Sequence, residues 1–241
     1  MSARLFSALS VLLVTACSTA AAASAADLRT HASVRVRDLV ATLAVEKADA
    51  IALERINRDF ATAHRLRDVR LSYRDPDKLR MESPVGLLVY NGATRYFRIP
   101  RLKLQRKETA IPPAQRRRWA FDLGLLTPSD VESAQIAFVR SEGLAGAPAD
   151  VFDVKWATED GARHRVWVDQ RTHLIAQREW YAGDGTLRAV FRYQAPREVQ
   201  PGVWLATRIE ICSADGALAG VVSYADLKVN EGLPDTTFET P

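Results

Sequence analysis

The sequence predicts a mainly β protein in which an antiparallel sheet of about eleven strands curls into a barrel or half-barrel with covering helices. Three observations lead there. Apolar and polar residues alternate with a period of two over most of the chain after Val69, the mark of strands that bury one face. Short turn signals, among them Asn91-Gly92, Gly183-Asp184-Gly185 and Asp215-Gly216, join sequence neighbours as antiparallel hairpins. So many antiparallel strands can bury a common apolar face only by curling.

Residues 1–26 read as an export signal. Arg4 precedes an apolar run from Leu5 to Ala16, and small residues follow from Ser18 to Ala26; the run is too short to cross a bilayer as a helix. Two exits fit. Ala23-Ser24-Ala25 and Ser24-Ala25-Ala26 match small-x-small cleavage, which releases a chain beginning near Ala26 or Asp27 into the periplasm. Val14-Thr15-Ala16-Cys17 resembles a lipobox, in which Cys17 is lipidated and anchors the chain at the outer membrane. Residues 27–241 then form a single domain, long enough for a sizeable core. The signal carries one Arg and no acid, so 32 basic and 29 acidic residues remain and the charge falls from +4 to +3. That mild balance does not suggest nucleic acid as a partner, least of all for an exported chain. Beyond the signal only Cys212 remains, so no intrachain disulfide forms, and its place on an alternating strand makes it a sheltered thiol.

Asp27 to Arg37 lacks a period and reads as a lead-in or tether. From Asp38, the spacing of Leu39, Leu43, Ile51, Leu53, Ile56, Phe60 and Ala63 predicts a helix or helix pair with one apolar stripe, packed on the sheet or serving as a lid. Strands follow at Val69–Tyr73 and Lys78–Glu82, joined by an Asp75-Pro76-Asp77 turn, then at Leu87–Tyr90, Thr94–Ile99 and Leu102–Lys107. Between Glu108 and Val131 the strands stop. Ile111-Pro112-Pro113 cannot sit inside a sheet, Ala114–Leu123 predicts a short helix that Gly124 stops, and Thr127-Pro128-Ser129-Asp130 is a helix start. Helix in the middle of a β chain predicts a segment lying over an opening in the sheet. Arg116, Arg117 and Arg118, with Arg101, Lys103, Arg106 and Lys107, form the densest basic cluster, read as a solvated face or as a lid or membrane-facing patch that attracts anionic headgroups. Strands resume at Gln135–Arg140, Val151–Trp156, three within Arg165–Tyr193, Val203–Ile211 and Val221–Val229.

The chain carries none of the Gly-x-Ser-x-Gly, Gly-rich phosphate-loop, His-Glu-x-x-His or paired-Cys motifs that mark common chemistries. His164 and His173 bracket a hairpin with Asp169 near its turn, but their spacing matches no metal-ligand motif. The reading is of a non-catalytic protein with no cofactor and no metal. A curved sheet that does not fill its own interior is a cavity, usually for something apolar.

Several segments together resemble one family. Val166-Trp-Val-Asp-Gln-Arg-Thr-His-Leu-Ile175, Glu179-Trp-Tyr-Ala-Gly-Asp-Gly-Thr-Leu187, Gly202-Val-Trp-Leu-Ala-Thr-Arg-Ile-Glu210 and Asn230-Glu-Gly-Leu-Pro-Asp-Thr-Thr-Phe238 are similar to the outer membrane lipoprotein-sorting proteins of the LolA-like superfamily. Asp75-Pro-Asp-Lys-Leu-Arg-Met-Glu82, the Asn91-Gly92 hairpin and Tyr96-Phe-Arg-Ile-Pro100 lie where that family has its Pro-containing strand start and first hairpin. The resemblance covers most of the mature chain. It implies an incomplete antiparallel β-barrel closed by helices, with a hydrophobic cavity for the acyl chains of lipoproteins or phospholipids, and inner- or outer-membrane partner proteins. The expected cavity wall is Leu79, Met81, Leu187, Phe191, Val203, Leu205, Ile209 and Ile211. The family's lid-latching Arg directly precedes the Pro of the early strand, whereas here Asp75 holds that place and Arg74 lies one residue earlier. The superfamily also includes envelope sensors, so a sensory or scaffolding module binding a protein partner is the alternative.

Overall fold

The structure, a computed structural model, describes residues 26–32, 36–57, 60–61, 68–112 and 118–241. Cys17 and the rest of the signal, His64, Arg116 and Arg117 lie outside them. Among the described residues one antiparallel sheet of thirteen strands contains β1 (Asp38–Ala48), β2 (Val69–Arg74), β3 (Lys78–Ser83), β4 (Gly86–Asn91), β5 (Thr94–Ile99), β6 (Leu104–Glu108), β7 (Ala134–Leu144), β8 (Ala147–Trp156), β9 (Arg163–Asp169), β10 (Ile175–Tyr181), β11 (Leu187–Gln200), β12 (Val203–Ser213) and β13 (Leu218–Val229). Their order is β6-β5-β4-β3-β2-β1-β13-β12-β11-β10-β9-β8-β7. The chain therefore enters at the centre of the sheet, meanders to one edge, crosses to the other, and meanders back until β13 pairs with β1.

Local turn chemistry explains most of the register. Asn91 pairs with Thr94 across a loop in which Gly92 has φ +58°, a conformation that costs glycine nothing. In the β9–β10 turn, Asp169 accepts bonds from the Arg171 and Thr172 amides at 3.0 and 2.7 Å, the side-chain-to-backbone closure expected of an Asx turn.

Two expectations are overturned at the N-terminal end. Residues 38–48 form β1, not the first part of a helix, with Leu39, Ala41 and Leu43 buried on one side. The i, i+4 spacing of Leu39 and Leu43 also satisfies a period of two. Lying between two partner strands, β2 and β13, the segment gains ladder hydrogen bonds on both sides, and tertiary pairing decides. The lead-in is not a free tether either. Asp27 caps a short helix, α1 (Leu28–His31), whose Leu28 and His31 are buried. Past β1, Asp49 caps α2 (Ala50–Ile56), so the helical reading holds only from there.

Between β6 and β7 run α3 (Trp119–Asp122) and α4 (Pro128–Glu132), capped by Thr127 as the sequence predicts. The Trp119 ring meets Tyr90 on β4 at 4.9 Å, and two residues on, Phe121 meets Trp156 on β8 at 5.0 Å. In a flat sheet β4 and β8, nine places apart in the strand order, would be separated by about 43 Å. One four-residue helix touches both because the sheet curls around it. The main core lies on that inner face. On the outer face are small clusters such as Leu87, Val89 and Tyr96, and the C-terminal segment, which Asp38 holds by accepting from the Glu231 and Gly232 amides at 2.8 and 3.0 Å.

Candidate functional site

The curled sheet leaves an apolar cavity of about 80 Å³ on its inner face. Its floor comes from Leu43 and Val45 of β1, Leu71 of β2, Leu79 and Met81 of β3, Phe191 of β11, Ile209 and Ile211 of β12, and Val222 and Tyr224 of β13. These strands are contiguous around the β1–β13 pair, and strict alternation brings one side chain in two to the inner face. Its cover is Trp119, Asp122 and Leu123 of the crossing segment, with Phe60 from the connection after α2. Phe60 and Phe191 face each other across the cavity margin with ring centroids 5.6 Å apart.

Buried polar contacts fasten the cover on one side. Arg178, on β10 and only 3% exposed, donates to Asp122 at 2.8 Å. Its guanidinium lies 3.9 Å from the Phe191 ring centroid and 4.9 Å from that of Phe121, a cation–π arrangement strengthened by exclusion of water. The Tyr193 hydroxyl donates to the Phe121 carbonyl at 3.2 Å, and burial pushes that phenol above its ordinary pKa. Gly124 follows with φ +81°, where a Cβ would come within 2.6 Å of the Tyr193 ring, so glycine alone allows the segment to lie this close. The Trp156 indole then donates to the Asp130 carbonyl at 3.0 Å. Behind these, His164 bonds Glu159 at 2.9 Å among the rings of Phe121, Trp156 and Trp180. Burial lowers its pKa despite the carboxylate. Burial likewise raises the pKa of Asp130, against the Thr127 hydroxyl and Arg118.

No family model and no curated protein matches the sequence. Solved structures do. A domain described as outer membrane lipoprotein-sorting, from Vibrio parahaemolyticus, superposes with a TM-score of 0.59 at 15% identity, covering 84% of this chain and 89% of that one. A DUF1329 family protein from Desulfovibrio piger superposes at 0.57 with 13% identity, over 88% and 92% of the two chains. A LolA superfamily protein from Nitrosomonas europaea superposes at 0.52 with 16% identity, over 84% and 88%.

The chain has the LolA-like fold.

Within this LolA-like sheet, Leu79, Met81, Phe191, Ile209 and Ile211 are brought together on the cavity floor. Leu205 is buried in the same core but lies four residues further along β12, and Val203 is half-buried beyond it. Leu187 is half-buried at the hairpin end of β11, opposite Tyr181. These three lie on the strands that reach the cavity, but outside its span. Arg118 is not a free membrane-facing cation. It stacks on Trp156 at 4.3 Å and lies 3.4 Å from Asp130 and 3.8 Å from Glu159. Arg74 does not reach the cover, since it bonds Asp235 and the Leu233 carbonyl in the C-terminal segment. The histidines are separated too. His173 meets His31 at 3.0 Å, with Asp150 3.3 Å beyond, at the end of β9 opposite His164. Cys212 is a buried thiol.

The expected cavity wall leaves out Leu43, Val45, Leu71, Val222 and Tyr224, and although a segment over the opening is expected between Glu108 and Val131, its contact residues Trp119, Asp122 and Leu123 are not singled out. The alternation of residues 39, 41, 43 and 45 carried a strand signal for Leu43 and Val45. Asp122 and Arg178, 56 residues apart, have no local signal.

Proposed function

We propose that this chain is a non-catalytic cell-envelope carrier or acceptor that binds acyl chains of lipoproteins or lipids on the inner face of its sheet. The observation that carries the reading is the cavity: a continuous apolar floor drawn from six strands, beneath a cover that is part of the same chain. At about 80 Å³ it is smaller than the roughly 300–1,000 Å³ of pockets that enclose a small ligand. An acyl chain therefore enters by displacing Trp119, Leu123 and Phe60, and its methylenes replace theirs against the floor. Each Å² of apolar surface removed from water contributes about 25 cal/mol. Because the floor lacks fixed polar groups apart from the Tyr224 hydroxyl, chains of different chemistry are accepted alike. Export by the 1–26 signal places the protein in the periplasm, or at the outer membrane if Cys17 is lipidated.

Lipid extraction and native mass spectrometry of the purified protein test this directly. Bound lipid, and saturable uptake of a fluorescent fatty acid, are expected. A protein consistently free of lipid and unable to take up the probe overturns the reading. Labelled fatty acid incorporated by wild type but not by Cys17→Ala decides for the anchored form.

A second reading, a sensory or scaffolding module with a protein partner, is favoured by the eleven-residue edge strand β7. It carries Phe138 and Val139, each 36% exposed, and edge strands accept an added strand. Co-purification of a stoichiometric protein without lipid would select it.

A further inference from the structure

The β5–β6 hairpin is the most basic stretch of the described chain and ends in exposed apolar side chains. Between Glu82 and Glu108 the sequence carries six basic residues and no acidic one. The hairpin tip is a single 3-10 turn, Pro100–Leu102, closed by the Lys103 amide on the Pro100 carbonyl at 2.9 Å, with Lys103 in the left-handed region at φ +50°. Leu102 is 68% exposed and Leu104, the first residue of β6, is 45% exposed. Arg101 and Lys103 flank Leu102 in the chain, and Arg98 lies on β5 opposite Gln105, next to Leu104 on β6; all three are exposed and without an ion pair to any described residue. Arg106 and Arg95 share Glu108 at 2.7 and 2.5 Å.

Strand direction extends the pattern. In an antiparallel meander every second connection falls at the same end. The β3–β4 turn and the connection from β1 to β2 therefore lie at the same end of the sheet as the β5–β6 tip. They carry the exposed Val85 (47%) and Ile51 (68%). Four exposed large apolar residues thus share one end of the sheet, next to an acid-free run of cations. Apolar side chains that enter the headgroup region, within a collar of Lys and Arg, are what an anionic bilayer surface attracts and retains.

We propose that this end of the sheet, led by the β5–β6 tip, docks on membranes rich in anionic lipid. Leu102 and Leu104 enter the interface while Arg98, Arg101 and Lys103 contact headgroup phosphates. The proposal is independent of what the cavity holds.

Flotation with lipid vesicles tests it. The full chain is expressed with Cys17→Ala, so that an acyl anchor cannot carry it to vesicles of any charge. It is mixed with vesicles of phosphatidylcholine alone, or of phosphatidylcholine with about one-third phosphatidylglycerol. Binding is expected only to the anionic vesicles, and it weakens with added salt. Each cation near such a surface adds roughly fivefold to partitioning, so Arg101→Glu/Lys103→Glu lowers binding at least tenfold. Leu102→Ser/Leu104→Ser also lowers it, with the salt dependence of the remainder unchanged. All four side chains are exposed, so the thermal midpoint and fatty-acid uptake stay at wild-type values in both variants. Equal binding to both vesicle types, no flotation of the starting chain, variants that bind as well as it does, or self-association in place of vesicle binding would each overturn the proposal. Loss of fatty-acid uptake with vesicle binding intact would overturn only the cavity reading.

Discussion

Beneath the crossing segment, β8, β10 and β11 present Trp156, Arg178 and Tyr193, each hydrogen-bonded to that segment, whereas β1 to β3, β12 and β13, with Phe191 of β11 at the boundary, present an apolar floor with a void above it. On the first side the contacts are directional and desolvated. On the second they are dispersion contacts that a lipid methylene can replace one for one. The difference teaches which motion the fold permits. Moving Trp119 and Leu123 off the floor exchanges like for like, while lifting Asp122 and Phe121 off β10 and β11 strips a buried ion pair and a buried hydrogen bond. If the cover opens to an acyl chain as proposed, it does so as a flap attached along β8–β11.

The most disruptive test breaks the fastened side. Arg178→Met removes the guanidinium that Asp122 accepts from and takes a cation from between two aromatic rings, and losing one member of a buried pair costs about 3–5 kcal/mol. Urea unfolding should show a drop toward the lower end of that range, because Asp122 is partly exposed. Arg178→Met/Asp122→Leu should recover most of the loss, since a well-packed apolar pair often matches a buried ionic one. If the single variant unfolds like wild type, the two sides are not different in kind. Next in size is Gly124→Ala. It adds a Cβ 2.6 Å from the Tyr193 ring at φ +81°, an overpacking cost of about 1–3 kcal/mol read as a lower urea midpoint.

A smaller effect separates the sides by pH. Burial holds the His164 pKa below its ordinary 6.5, so the native state keeps the ring neutral. Below that value the unfolded chain takes up a proton that the folded one refuses. The contribution is complete above pH 6.5 and is lost as the pH falls through the window beneath it, at up to about 1.4 kcal/mol per pH unit. His164→Phe should flatten part of the stability profile there. His31, whose pKa burial and His173 also lower, acts in the same direction, while the raised Asp130 pKa acts in the opposite one. An unchanged profile would mean that His164 is not desolvated and the fastened side is wetter than its geometry implies.

What the sequence made legible follows the range of the forces involved. Hairpins such as Asn91–Thr94 and the Thr127 cap depend on residues within four positions of one another. Floor residues such as Met81, Phe191 and Ile211 followed from alternation and from a resemblance carried by turns and aromatics. By contrast β1 is a strand because of β2 and β13, the latter nearly 200 residues away in the chain, and its Leu39–Leu43 spacing suits either period. Trp119 and Leu123 fall in the stretch expected as a short helix, but so short a helix does not tell which of its side chains meet the floor, and the Asp122–Arg178 pair exists only once the sheet has curled. The sequence thus reveals the half of the site built by strand alternation. It hides the half built by distant residues meeting.

The gentlest perturbation probes the apolar side. Val222, on β13 opposite both Val45 and Ile209, borders the void. Val222→Phe would cost about 1–3 kcal/mol in a filled core, but here the ring enters about 80 Å³ of empty space, so urea unfolding should shift by less than about 1 kcal/mol. Fatty-acid uptake should nevertheless fall at least tenfold, because the ring occupies the place where entering methylenes first meet the floor. Stability and binding would then part company on this side, whereas Arg178→Met and Gly124→Ala act on stability first. A large loss of stability in Val222→Phe would show that the floor is packed as tightly as the fastened half. Retained stability with unimpaired uptake would place the acyl site elsewhere on the sheet.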